Sequence, residues 1–123
     1  MFDKLKAMGA VAGLLGKKDQ LRDAMDRVKE KMSAARVTGT GGQGAVKAVV
    51  SGKMQVVSIE LAPALAAGIA TDNKTRELAG NLITEAVNDG LTKAQSLLKE
   101  CVEAEAKAMG LPGLPGLDEL MGG

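Results

Sequence analysis

The chain has 123 residues and a net charge of +1, a length that suits one folded domain. It contains a single aromatic residue, Phe2, a single cysteine, Cys101, and no His, Tyr or Trp. Without His the usual general base and the commonest metal ligand are missing, and one Cys cannot form an internal disulfide. The composition therefore argues against an enzyme and against a metal, cofactor or small-molecule site. Cys101 is expected to be a small buried hydrophobe.

The near-zero net charge hides an uneven distribution. Residues 1–58 carry eleven Lys or Arg against five Asp or Glu, and residues 59–123 carry five against ten. A basic half on a small protein points to a polyanionic partner, of which nucleic acid is the commonest. Nine of the eleven cations lie in residues 4–36, where they are interleaved with acids. An ordinary solvated helix is therefore an equally good interpretation of this segment as a binding surface for a polyanion.

Residues 1–16 combine two early lysines with apolar residues at helical spacing. We favour an amphipathic segment over a signal peptide, because three glycines interrupt the stretch and no convincing cleavage site follows. No apolar run approaches the length of a membrane span. A cytosolic protein with no membrane partner is therefore expected.

The first long helical pattern covers residues 14–35. Its apolar residues form a stripe of about two positions in seven, and the remaining surface is charged. Such a narrow stripe is typical of a helix that pairs with another helix. The stripe consists of Leu14, Leu21, Met25, Val28, Met32 and Ala35.

A β pattern follows this helix and predicts a three-stranded antiparallel meander. The predicted strands are residues 37–40, 45–50 and 54–61. A glycine-rich turn at residues 41–44 and a tight turn at residues 51–52 join them. We expect the sheet to support the core through Val46, Val50, Val57 and Ile59. The glycines of residues 39–44 do not suit a phosphate-binding loop, because they join two strands instead of leading into a helix.

Pro63 ends the predicted sheet, and residues 64–70 are expected to be a short apolar connector. Asp72 is a candidate N-cap for a second long helix that ends near Met109, before Gly110. We expect the first part of this helix to cover the sheet and its Ala-rich later part to approach a partner closely. Its predicted seam consists of Ile83, Val87, Gly90, Ala94, Leu97, Cys101, Ala104 and Ala108. Residues 1–110 are thus expected to form one α+β domain, and residues 111–123, with their Leu-Pro-Gly repeat, a flexible tail.

The cations of the first helix are the best candidate site in the chain. Lys18, Arg22 and Lys29 are expected along one flank, with Lys17, Arg27 and Lys31 around it. Because the chain has almost no aromatic residues, it cannot bind single strands by stacking on bases. No helix-turn-helix or zinc pattern is present, so Lys and Arg contacts to phosphates are the expected mode.

The order of these features resembles the YbaB/EbfC family of small bacterial nucleoid-associated proteins. The resemblance covers about residues 1–110 and is carried by residues 1–5, 31–32, 37–47, 51–52, 56–59, 63–65, 86–89 and 93–94. It implies an α-β-β-β-α chain that forms an intertwined homodimer, in which the sheets join and the long helices project as a tweezer-like pair.

The resemblance also implies binding of double-stranded DNA with little sequence preference, and a role in nucleoid organisation and gene regulation. It assigns the DNA contacts to the projecting helices, which here means Lys17, Lys18, Arg22, Arg27, Lys29 and Lys31. A second hypothesis stays open. The protein is then a structural dimer whose paired helices grip a partner protein, with the acidic half and the tail as its working surfaces.

Overall fold

The computed structural model describes residues 18–110, so the expectations for residues 1–17 and for the tail at 111–123 lie outside the described residues. The chain order is helix, three strands and two helices, as the α+β prediction requires. The elements are α1 (Lys18–Ala34), β1 (Arg36–Gly41), β2 (Val46–Ser51), β3 (Val56–Leu61), α2 (Pro63–Ile69) and α3 (Asn73–Ala108).

Helix α1 forms from strong helix formers without an internal Gly or Pro. Its buried residues are Ala24, Val28 and Met32, which are spaced by four and lie on one face. The predicted stripe is therefore only partly right. Leu21 and Met25 are 40% and 52% exposed, because the contact with α3 follows the four-residue row through Ala24 and leaves Met25 at the edge of this contact.

The three strands form one antiparallel sheet in the order β1-β2-β3. Val46, Ala48 and Val50 of the central strand have no exposed surface, as their alternation predicts. They lie on the face that α3 covers. The pairing of β2 with β3 shifts register between Val49 and Val50, next to the turn that joins these strands.

Strand β3 is one of the two edge strands of this sheet, with β1 as the other, and its side chains are exposed on both faces. Val57 and Ile59 are 51% and 44% exposed. The prediction that the sheet supports the core is thus confirmed for Val46 and Val50, whereas Val57 and Ile59 are not buried within a single chain. The reason is topological, because α3 packs on β1 and β2 and does not extend over β3.

Glycines bring helix α3 unusually close to strand β1. A Cβ atom at Gly39 would overlap the backbone of Ala86 and Gly90, and one at Gly41 would overlap the backbone of Leu82. These positions therefore need glycine for close approach of the backbones, since both lie inside a strand and only their missing side chains allow the contact. The glycine-rich run thus serves helix–strand packing as well as the turn.

Pro63–Ile69 form a helix of seven residues, where the sequence predicted only a short apolar connector over residues 64–70. Pro63 occupies its first turn, where the missing N–H costs no hydrogen bond, and Leu65 is buried against the core. The apolar residues that suggested a connector are helix formers whose side chains complete the core at one end of the sheet.

Helix α3 has 36 residues and is about 54 Å long. The Asp72 carboxylate accepts a hydrogen bond from the Lys74 N–H at 3.1 Å, which confirms the predicted N-cap. Gly110, with φ +74°, follows the last turn and donates to the Lys107 carbonyl, which confirms the predicted stop.

The two parts of α3 have different partners, as expected from the sequence. Its first part packs through Ala79, Ala86 and Gly90 on the sheet, and its last turns pack against α1 of the same chain. The predicted seam is confirmed at Gly90 and Ala94, which are buried. Ala104 and Ala108 are exposed in the single chain, so their predicted contact with a partner stays a prediction, and Cys101 is only partly buried. Within residues 18–110, no helix combines the length and apolarity of a membrane span.

Candidate nucleic-acid interface

The charged residues of α1 are sorted into three groups around the helix axis. Successive residues turn by about 100°, so the acids Asp19, Asp23, Asp26 and Glu30 share the face opposite the buried row. The cations lie on the two flanks between the acidic and buried faces. This arrangement separates the predicted DNA-binding residues into two sets with different surroundings.

Lys18, Arg22 and Lys29 form the first set, which we name the free flank. Their spacing of four and seven residues places them within about 40° of one another around the axis. All three are exposed, and none has an ion pair within residues 18–110, although Asp19 and Asp26 are neighbours along the helix. Lys17, also predicted to bind DNA, lies outside the described residues.

Arg27 and Lys31 form the second set, which we name the Glu105 flank because both bind Glu105 of α3. Arg27 Nε lies 3.2 Å from each carboxylate oxygen, Arg27 Nη2 lies 3.1 Å from Oε2, and Lys31 Nζ lies 3.4 Å from Oε1. The Glu105 side chain is 11% exposed, whereas those of Arg27 and Lys31 are 51% and 60% exposed. Two cations therefore converge on one largely covered carboxylate.

The pKa values of this cluster agree with its geometry. The hydrogen bonds from Arg27 hold the pKa of the Glu105 carboxyl below its ordinary value, and the same contact raises the pKa of Arg27. The nearby Asp23 carboxylate raises the pKa of Arg27 further. Glu105 is thus ionised at neutral pH, and the surroundings of Arg27 are electronegative.

An apolar groove of about 590 Å³ opens between α1, α3 and the turn that follows β2. It is lined by Met25, Val28, Lys29, Met32, Ser33, Gly52, Lys53, Leu98 and Val102. Lys53 is exposed, and its backbone N–H donates to the Ser51 hydroxyl at 3.2 Å within this turn. Because Lys29 and Lys53 line the same groove, the turn places a further cation beside the free flank.

The sequence did not single out Glu105 or Lys53 as members of the α1 surface. A signal for Glu105 existed, because it falls at helical spacing with Val102, Ala106 and Met109, where an acid interrupts an apolar face. Lys53 carried no such signal, since its approach to Lys29 depends on how the sheet docks against α1. Glu100 and Glu103 of the same helix are exposed.

A second polar cluster joins α3 to β1 and has a structural role. The Asp89 carboxylate accepts from the Thr40 N–H at 2.9 Å and from Lys93 Nζ at 3.0 Å. Lys93 also donates to the Thr38 carbonyl at 3.0 Å. The Thr40 N–H is the main reason why the pKa of Asp89 is lowered.

The described residues contain no cluster of three or more His, Cys, Asp or Glu side chains that could hold a metal ion. That the protein is not an enzyme and has no cofactor stays a prediction.

Comparison with known proteins identifies the family. The chain is 30% identical over 106 residues to a nucleoid-associated protein of Pelotomaculum thermopropionicum, covering 86% of this chain and 96% of that protein. The fold is similar to the crystal structure of an uncharacterized protein from Helicobacter pylori, with a TM-score of 0.53, 20% identity, and coverage of 67% of this chain and 89% of that one. Residues 8–109 match the family model itself, and the chain therefore belongs to the YbaB/EbfC DNA-binding family.

Proposed function

We propose that this protein binds double-stranded DNA as a homodimer, with little sequence preference, through phosphate contacts from the cations predicted on and before α1, with Lys18, Arg22 and Lys29 as the main contacts. The observation that carries the proposal is the free flank, whose cations are exposed and have no ion pair within residues 18–110, in a member of a DNA-binding family. We further propose a nucleoid location in the cytoplasm, in line with the name of the nucleoid-associated protein of Pelotomaculum. A role in nucleoid organisation and gene regulation is part of the same proposal.

Low sequence preference is expected from the chemistry of the available side chains. Lys and Arg contacts to phosphates fix the position of a protein on the duplex but do not distinguish bases. Because the described helices carry no aromatic residues, stacking on exposed bases is excluded for this part of the chain. Binding should therefore weaken steeply with salt, by about 0.9 in the log–log slope for each phosphate neutralised.

The homodimer is supported by the edge strand. The outer edge of β3 has backbone N–H and C=O groups without a strand partner, beside the exposed Val56, Val57 and Ile59. An exposed apolar edge favours pairing with another strand. A second copy of β3 would continue the sheet and bury these side chains, and the dimer would present two α1 helices to DNA, which doubles the cations available.

Titration of a labelled duplex at two salt concentrations tests the proposal. We expect binding at low salt that weakens at higher salt and that is similar for duplexes of unrelated sequence. Replacing Arg22 and Lys29 together by Glu should abolish it. Absence of binding at low salt, or unchanged binding by this double variant, would refute the DNA-binding proposal.

The apolar groove favours the second candidate function, in which the paired helices grip a protein. Its floor of Val28, Met32, Leu98 and Val102 and its cations Lys29 and Lys53 suit a segment with apolar and acidic side chains. Crosslinking in cells, followed by purification of the protein with whatever is attached to it, tests this candidate. Recovery of a partner protein that no longer crosslinks when Met25, an exposed residue of the groove, is replaced by Lys would support it, and recovery of DNA alone would exclude it.

A further inference from the structure

We infer that Glu105 divides the α1 cations into two sets with different roles, an inference that rests on the proposed DNA binding. The free flank of Lys18, Arg22 and Lys29, extended by Lys53 of the β2–β3 turn, contacts phosphate. The Glu105 flank holds α1 against α3 and contributes little to phosphate binding. The inference adds Lys53 to the DNA surface and removes Arg27 and Lys31 from it.

The hydrogen bonds of Arg27 are the first reason. Arg27 already donates from Nε and Nη2 to Glu105, so an edge of the guanidinium that could bind a phosphate with two hydrogen bonds is occupied. A phosphate at this edge would have to displace the Glu105 carboxylate. Because Glu105 is largely covered, its charge would then be left without a partner, which is strongly unfavourable.

Lys31 is held by the same carboxylate, through Oε1. Asp23 adds a second negative charge near Arg27 and makes the approach of a phosphate to this flank less favourable. DNA binding here would replace existing ion pairs, so little free energy is gained.

The free flank also has acids beside it, Asp19 and Asp26, but it differs from the Glu105 flank in its ion pairs. Within residues 18–110, no ion pair has to be broken before Lys18, Arg22 or Lys29 meets a phosphate. Lys53 is equally unpaired in that part of the chain, and it lines the same groove as Lys29. Four exposed cations from two elements thus act on one surface, and their potentials add.

Two charge-matched double variants of the full chain test the inference. Arg22→Gln with Lys29→Gln and Arg27→Gln with Lys31→Gln each remove two positive charges from the same helix. We expect the first pair to lower duplex affinity and to reduce the salt slope by about 0.9 for each phosphate that is no longer neutralised. The second pair should lower the melting temperature and leave the salt slope unchanged. Lys53→Gln should reduce the slope, whereas Lys47→Gln, an exposed cation of β2, should not.

Equal reduction of the slope in the two double variants, or a larger reduction in the Arg27 and Lys31 pair, would overturn the inference. An unchanged slope in Lys53→Gln would also overturn it. If wild-type protein shows no salt-dependent binding, the proposed function itself fails, so the two failures are distinguishable.

A further pair of variants covers the case in which the Arg27 and Lys31 variant does not fold. Glu105→Gln keeps both cations and removes their partner, whereas Glu103→Gln removes the same charge from an exposed position on α3. Measured below its melting temperature, Glu105→Gln should bind duplex more tightly than Glu103→Gln and with a steeper salt slope, since Arg27 and Lys31 are released. Identical binding by the two variants would contradict the division of the cations by Glu105.

Discussion

Arg27 on α1 and Glu105 on α3, 78 residues apart in sequence, are joined by three hydrogen bonds of 3.1–3.2 Å. Together with the buried Val28 and Ala106, this contact attaches the N-terminal helix to the end of the long helix. The orientation of α1, and with it the direction in which the free flank faces, therefore depends on this ion pair.

Glu105→Gln should lower the melting temperature more than Glu103→Gln does. Both variants remove one negative charge from α3, but only Glu105 has partners on α1. Thermal unfolding followed by circular dichroism measures the difference. Equal melting temperatures of the two variants would show that the ion pair adds nothing to stability.

The same pair predicts a dependence on pH. The pKa of Glu105 is lowered in the folded protein, first by its hydrogen bonds from Arg27. A carboxyl whose folded pKa is depressed stabilises the fold above its unfolded pKa, about 4.3 for Glu, and loses this contribution as the pH falls toward the folded value. The melting temperatures of wild type and Glu105→Gln should therefore differ at pH 7 and converge as the pH falls below about 4. A gap that stays constant over this range would contradict the assignment.

Gly39→Ala should destabilise the fold, because its Cβ would overlap the backbone of α3 at Ala86 and Gly90. We expect a loss of about 1–3 kcal/mol in the free energy of unfolding, the usual cost of overpacking. Gly80→Ala is the matched control. It lies on α3 with open space around its Cβ, and it should stabilise the fold by about 0.5–1 kcal/mol through helix propensity. Chemical denaturation measures both changes, and a neutral Gly39→Ala would show that the helix and strand can separate at little cost.

Val57→Lys should convert the proposed dimer to monomer without unfolding the chain. Val57 is 51% exposed on the edge strand, so a Lys there is tolerated in the single chain but opposes strand pairing. Light scattering after gel filtration measures the mass, and circular dichroism checks the fold. Leu78→Lys, at an equally exposed position on α3, is the control and should stay dimeric. A dimeric Val57→Lys would exclude β3 as the dimer edge.

Much of the fold was predictable from local patterns. The alternation at Val46, Ala48 and Val50, the N-cap at Asp72 and the stop at Gly110 depend on residues that are close in sequence. The short helix α2 was missed, because an apolar run of seven residues does not distinguish a helix from a connector until it packs.

The candidate site was predictable only as a set of cations. Helical spacing alone places Lys18, Arg22 and Lys29 on one flank and Arg27 and Lys31 on the other. Helical spacing does not show which flank pairs with an acid of another element, because Glu105 reaches α1 only when α3 folds back across the sheet. Lys53 likewise joins the surface through the docking of the β2–β3 turn.

The sequence by itself determined the class of fold, the order of the three strands and the two long helices, the family and the excess of cations in residues 1–58. These follow from periodicity, turn residues and charge, which are properties of neighbouring residues. Only the tertiary structure decided which α1 cations are bound by Glu105 and which have no ion pair within residues 18–110. It also decided that the apolar side chains of β3 stay exposed in the single chain. Both outcomes depend on contacts between segments that are distant in sequence. The Glu105 carboxylate is largely covered and needs its cationic partners, and α3 packs on β1 and β2 but not on β3.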